Sequence, residues 1–160
     1  MKLHGYWRSS CTYRVRIALA FKGLEVVVAP VNLLEGEQRA EPFVAMSPIG
    51  QVPVLELDDG TRLTQSVAIL EYLEETHPKP PLLPRAPLAR ARVRQLTELI
   101  VSGTQPLQNF AVLQRLKNEH GLDARAWAAL HIRRGLVAYQ RLAEATAGRF
   151  SVGDAPSFAD

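Results

Sequence analysis

Four consecutive residues, Arg8, Ser9, Ser10 and Cys11, carry the densest potential chemistry in the chain. They follow a short apolar opening (Met1, Leu3, Tyr6, Trp7) that reads as a buried strand. They precede apolar residues at Val15, Leu19 and at Ile17, Phe21, which is helix periodicity. At a strand-to-helix junction the first backbone N–H groups have no intrahelical partner, and the helix dipole makes the potential positive. A thiolate or a carboxylate is stabilised there. The hydroxyls of Ser9 and Ser10 either cap the helix or donate to a bound sulfur anion, and the stretch alone favours the cap. Cys11 reads either as a small buried helix residue or as a group that sits against that sulfur. Arg8 is the candidate for a substrate carboxylate, because a guanidinium binds one bidentately. Arg14 and Arg16, inside the helix, read as structural or exposed.

A second group of polar residues lies at other element boundaries. Gln65 and Ser66 open a run with Ile69, Leu70 and Leu73 at helical spacing, so Ser66 reads as a helix N-cap beside free N–H groups. Gln105 and Asn109 flank Pro106 at i and i+4, on one face of a helix, where a polar stripe is the plain reading. The four histidines share no ligand spacing with each other or with carboxylates, so no metal site is expected, and no glycine-rich phosphate loop is present.

The elements that must position these groups follow in order. Lys22-Gly23 ends the first helix with a glycine. Val26-Val27-Val28 with Pro30-Val31 is a second strand, making a parallel βαβ unit. Residues 33–42 suit a loop and a short helix. Pro53 precedes the apolar strand Val54-Leu55-Glu56-Leu57, and Asp58-Asp59-Gly60 turns it into an antiparallel hairpin with Thr61 to Leu63. Residues 77–87 are proline-rich and read as a stiff linker. Beyond it the pattern is helical only: residues 88–119, kinked or broken at Gly103 and Pro106, and residues 123–147, capped by Asp123 and ended by Gly148. Ser157-Phe158-Ala159-Asp160 is a capping-box pattern announcing a helix that the chain does not contain.

The 160 residues, 47% hydrophobic and 22% charged, are those of a globular protein. No apolar run approaches the roughly 18 to 20 residues of a membrane span, and a cytoplasmic protein is the default. One cysteine cannot form an internal disulfide or a Cys-x-x-Cys pair. The net charge of +3 is spread among acids, which argues against nucleic acid and for one anion-binding cleft at most.

Taken in order and spacing, Ser9-Ser10-Cys11-x-x-Arg14-Val15-Arg16-Ile17-Ala18-Leu19, Gln51-Val52-Pro53, Gln65-Ser66, Gln105-Pro106-Leu107-Gln108-Asn109 and Val152-Gly153-Asp154 resemble the zeta-class glutathione transferases, the maleylacetoacetate isomerase family. The resemblance covers the whole chain. It implies a thioredoxin-like α/β domain (1–76) that binds glutathione, the linker 77–87, and an all-α domain (88–160) that is incomplete, the natural protein being longer. It implies that Pro53 is cis, that Val52 pairs through its backbone with the cysteinyl part of glutathione, and that Gln65 and Ser66 hold the γ-glutamyl carboxylate. Gln38 and Gln51 then match positions near the glycyl end, and Gln105 and Asn109 point into a cleft. The implied reaction is glutathione-dependent cis–trans isomerisation of a dicarboxylic β-keto acid in tyrosine and phenylalanine catabolism. The thiolate adds to the cis double bond, the bond rotates while single, and elimination regenerates glutathione. Ser9 is the implied donor to that thiolate, with Ser10 and Cys11 beside it, and Arg8 the substrate anchor. A homodimer is implied as well. Maleylpyruvate isomerisation, a general zeta-class transferase and a transferase-like scaffold that binds without catalysis are the competing readings. A thiol oxidoreductase is disfavoured, since Cys11 has no partner cysteine.

Overall fold

The computed structural model describes residues 1–160, which divide into two compact units, Met1–Pro81 and Leu82–Asp160. In the first, strand β1 (Lys2–Gly5) leads into helix α1 (Ser10–Phe21), which returns the chain to β2 (Val27–Pro30) parallel to β1, with Lys2 opposite Val27. A 3₁₀ turn (Glu37–Arg39) and a one-turn helix α2 (Glu41–Val44) follow. Then β3 (Val54–Glu56) and β4 (Arg62–Thr64) form the expected antiparallel hairpin. The sheet order is β2-β1-β3-β4, and α3 (Ser66–Thr76) packs beside α1. This is the mixed, thioredoxin-like sheet expected from the resemblance.

Burial explains the arrangement. Leu3 of β1, Val54 and Leu55 of β3, Val15 and Leu19 of α1, and Ile69 and Leu73 of α3 are all sealed from solvent. Each such side chain contributes about 1.5–3 kcal/mol by leaving water. Helix α1 buries one stripe (Thr12, Val15, Ala18, Leu19), whereas Ile17 and Phe21 lie on its exposed side. Trp7, read from sequence as part of a buried strand, is 75% exposed and lies beyond the end of β1. The edge strand β2 likewise leaves Val27 and Val28 open to solvent. Gly23 takes φ +67°, as a C-terminal helix glycine does. Below it, Lys22 Nζ is fully buried and donates to Glu74 Oε2 (2.7 Å) and to the carbonyls of His77 (2.7 Å) and Pro80 (3.0 Å), fastening α1 to the end of α3.

In the second unit the stretch 88–119 is broken, as expected at Gly103 and Pro106, into α4 (Pro87–Val101) and α5 (Phe110–His120), with a 3₁₀ turn (Gln105–Gln108) between. Pro106 has no N–H to continue an α-helix, and Thr104 Oγ1 takes the Leu99 carbonyl instead. Helix α6 (Ala124–Ala143) starts on Asp123, whose carboxylate accepts the N–H groups of Arg125 and Ala126. It ends four residues before the expected Ala147, because the Thr146 hydroxyl draws the chain round to the Ser151 carbonyl. Half of the capping box forms: Ser157 N–H donates to Asp160 Oδ2 (2.9 Å), while Ser157 Oγ accepts from Ala159 N–H (3.3 Å), one residue short of the box position. Leu82 and Leu83, within the proline-rich stretch, are buried rather than extended into solvent. No helix is long and apolar enough to cross a membrane.

Candidate anion and thiol site of the first unit

The register of the sheet brings three chain segments to one end. His4 pairs with Val54, so Val52-Pro53 runs beside the turn that leaves β1. Val54 also pairs with Thr64, so Gln65 and Ser66 emerge at the same end. The Arg8–Cys11 turn, the cis Val52-Pro53 bond and the start of α3 are therefore neighbours by topology. The carboxyl ends of parallel strands are where open α/β sheets bind ligands.

Ser9 is the N-cap of α1, and its Oγ accepts from Thr12 N–H (3.2 Å). That bond uses a lone pair, so the hydroxyl proton remains available to an anion. Cap and donor are thus compatible roles for one residue. Ser10 is exposed and Cys11 half-buried, and their backbone N–H groups have no acceptor in the chain. The Cys11 Sγ lies 3.8 Å from Arg14 Nη1.

At α3 the expectation is corrected. Ser66 is the first helical residue rather than the cap, and Gln65 occupies the cap position at φ +65°, the one non-glycine residue with positive φ. Gln65 offers no side-chain cap bond, so the N–H groups of Ser66, Val67 and Ala68 also lack acceptors. The buried Ser66 Oγ accepts instead from Arg14 Nη1 at 2.7 Å. Arg14 is the residue that sequence reasoning set aside. Its spacing from Cys11, one helical turn, was visible, but its pairing with a residue 52 positions away depends on how α1 packs against α3.

The remaining positions sort as follows. Val52 is buried, and its backbone N–H and C=O make no hydrogen bond in the chain. Gln51 is exposed, and its backbone N–H and C=O are both engaged by the hydroxyl of the buried Ser47. Gly50 (φ +65°) allows this turn to approach Gln38, since a Cβ there would stand 3.0 Å from the Gln38 carbonyl oxygen. Gln38 is buried, with its Oε1 lacking any partner. Arg8 is exposed, its guanidinium carbon 5.7 Å from the Trp7 ring centre. Gln105 and Asn109 belong to the second unit and do not share a helix face. Gln105 opens the 3₁₀ turn, and Asn109 caps α5 by accepting Ala111 N–H (3.1 Å).

These features fit an acidic peptide thiol. Two helix N-termini with unpartnered amides, a guanidinium between them, an unpaired extended backbone at Val52 and an orphaned acceptor on Gln38 supply complements for carboxylates, a thiolate and peptide amides.

The fold and these helix termini define a thioredoxin-like domain that binds an anionic thiol. Residues 1–75 match the model of the glutathione S-transferase N-terminal domain. The chain is 48% identical to the maleylacetoacetate isomerase of Rattus norvegicus, the match covering 99% of this chain and 72% of that protein. A maleylacetoacetate isomerase from Methylobacterium extorquens, solved with bound malonate and glutathione, is 40% identical with a TM-score of 0.95, covering 99% of this chain and 77% of that one. A bacterial maleyl pyruvate isomerase of the zeta class has the same TM-score and the same coverage at 37% identity. The chain belongs to the glutathione S-transferase family, in its zeta class.

Proposed function

We propose that the protein is a glutathione-dependent cis–trans isomerase that converts a maleylacetoacetate-type dicarboxylic β-keto acid to its fumaryl isomer, in aromatic amino-acid catabolism. The observation that carries this reading is the Arg14–Ser66 bond, set between two helix N-termini whose amides have no acceptor in the chain. It is supported by the identity to the rat isomerase.

When bound, glutathione supplies a thiol that adds reversibly to the substrate double bond. The chain's part is to hold it and to keep its sulfur ionised. An ordinary thiol with a pKa of about 8.5 is only a few per cent thiolate at neutral pH. The Ser9 hydroxyl and the free N–H groups of Ser10 and Cys11 donate toward that charge and lower its pKa. Arg14, Gln65 and the α3 amides hold the γ-glutamyl carboxylate, with Ser66 Oγ fixed by Arg14. Val52 pairs with the cysteinyl backbone beside cis-Pro53. Gln38 and Gln51 serve the glycyl end, and Arg8 takes a substrate carboxylate. Residues 1–76 form the glutathione domain, joined through 77–87 to the helical domain 88–160. A cytoplasmic homodimer follows from the same resemblance, and light scattering tests the dimer.

Assay on maleylacetone with and without glutathione decides the reading. Isomerisation only with glutathione supports it, and its absence in both arms leaves a binding scaffold. Maleylpyruvate is the second substrate to assay, since a maleyl pyruvate isomerase is among the structures that match at a TM-score of 0.95.

A further inference from the structure

Arg14 and Arg16 are two residues apart on α1, which turns them by about 200° around the helix. Arg14 faces α3 and Ser66, whereas Arg16 faces β2 and lines a cleft of about 650 Å³. Arg8 lines the same cleft from the β1–α1 turn. Its walls are otherwise largely apolar, with Trp7, Val28, Pro30, Val31 and Leu34, and no acidic residue borders it. Neither guanidinium has an ion-pair partner. Each rests near an aromatic ring instead, Arg8 by Trp7 and Arg16 5.9 Å from the centre of Tyr13. A guanidinium beside a ring keeps its N–H edge free for a carboxylate. Asn32, also in the lining, spends its Oδ1 on Leu34 N–H (3.1 Å), so its amide NH₂ remains as a donor. An apolar trough with donors and no acids complements an organic anion.

We propose that Arg16 is a second specificity-determining guanidinium, and that with Arg8 it holds the carboxylate-bearing end of the acidic substrate in this cleft while the carbon chain lies against Val31 and Leu34. This rests on the isomerase reading for the identity of the substrate. It differs from the glutathione cluster in location, because none of Ser9, Cys11, Val52, Gln65 or Ser66 lines the cleft.

Trp7 reports on the cleft directly. In a Trp127→Phe background it is the sole tryptophan, and its fluorescence is titrated with maleate, without glutathione. Saturable binding is expected, weakened roughly ten- to hundredfold by Arg16→Gln, as for loss of a charged hydrogen bond, and partly restored by Arg16→Lys. Dimethyl maleate, uncharged, should bind equally poorly to all three. In turnover, Arg16→Gln should raise the KM for maleylacetone in parallel, with kcat and glutathione affinity little changed. Arg16 is exposed, so the variants should fold. Maleate affinity or KM unaffected by Arg16→Gln, or the diester binding as well as the diacid, overturns the proposal. If the wild type fails to isomerise maleylacetone at all, the isomerase reading falls, while the glutathione-free titration still decides whether the cleft binds an organic diacid through Arg16.

Discussion

Arg14 Nη1 donates to Ser66 Oγ, 52 residues away in the chain, at 2.7 Å and stands 3.8 Å from Cys11 Sγ, so one guanidinium joins the amino ends of two helices. A cation there holds the Ser66 hydroxyl in one orientation and adds positive potential between two sets of free amides. Arg14→Ala should therefore weaken glutathione binding roughly ten- to hundredfold, the loss of a charged hydrogen bond being about 1.5–3 kcal/mol. Arg14→Lys should recover part of it. Calorimetric titration with glutathione checks this, and an unchanged affinity in Arg14→Ala would make the bond purely structural.

Ser9→Ala removes two things at once. Loss of the cap bond to Thr12 N–H should cost about 1 kcal/mol of stability. Loss of the hydroxyl donor should lower isomerase turnover on the order of 10²-fold with glutathione affinity nearly intact. Ser9→Asn separates the two, because asparagine caps equally well: thermal stability should return and turnover should not. If Ser9→Ala turns over normally, Ser10 or Cys11 carries the role.

Gln65 is held at φ +65°, a conformation that costs a non-glycine residue about 1–3 kcal/mol. Gln65→Gly relieves that cost, so the variant should melt no lower than the wild type, yet bind glutathione less tightly for want of the side chain. Chemical denaturation paired with a binding isotherm reads both. A variant that loses stability and keeps affinity contradicts the idea that the strain serves the site.

The Lys22–Glu74 pair is buried, with side-chain exposures of 0% and 8%. Removing Lys22 takes the cation from the Glu74 carboxylate and the donor from the His77 and Pro80 carbonyls, so Lys22→Met should destabilise the protein by about 3–5 kcal/mol, while Lys22→Met with Glu74→Leu should regain only part of the loss, since the two carbonyls remain without Nζ. Urea denaturation of the two single variants and the double variant measures the coupling, and additive losses would count against it.

His4, buried in β1, has its pKa held below the ordinary 6.5, chiefly by burial and next by the charge of Lys2; Glu56, 3.7 Å away, opposes the shift, and Arg62 adds to it. A histidine depressed in the folded state takes up a proton more readily when unfolded. Its contribution to stability is whole above pH 6.5 and declines as the pH falls through 6.5 toward the lower folded value. The thermal midpoint should thus fall between pH 7 and pH 5 more steeply in the wild type than in His4→Gln. Parallel curves would assign the acid sensitivity elsewhere.

Local signals carried much of this protein. The βαβ order, the hairpin at Asp58-Asp59-Gly60, the helix junction at Ser9 and the break near Pro106 are written in short-range chemistry: alternation, turn residues, a hydroxyl before an apolar stripe, a missing N–H. These need no partner to be read. What depended on packing was not legible. Ser66 passed for a cap because serine before a helical run usually is one, and only the left-handed Gln65 shows the cap lies a residue earlier. Gln105 and Asn109 stood at helical spacing, but the 3₁₀ turn between α4 and α5 puts them on different elements. Arg14 and Arg16 look alike in sequence. Their sides of α1 were implicit in its period, but which neighbour stood on each side, Ser66 or an acid-free cleft, was decided by the sheet order and the packing of α3, since side chains far apart in sequence meet only once the layers are assembled.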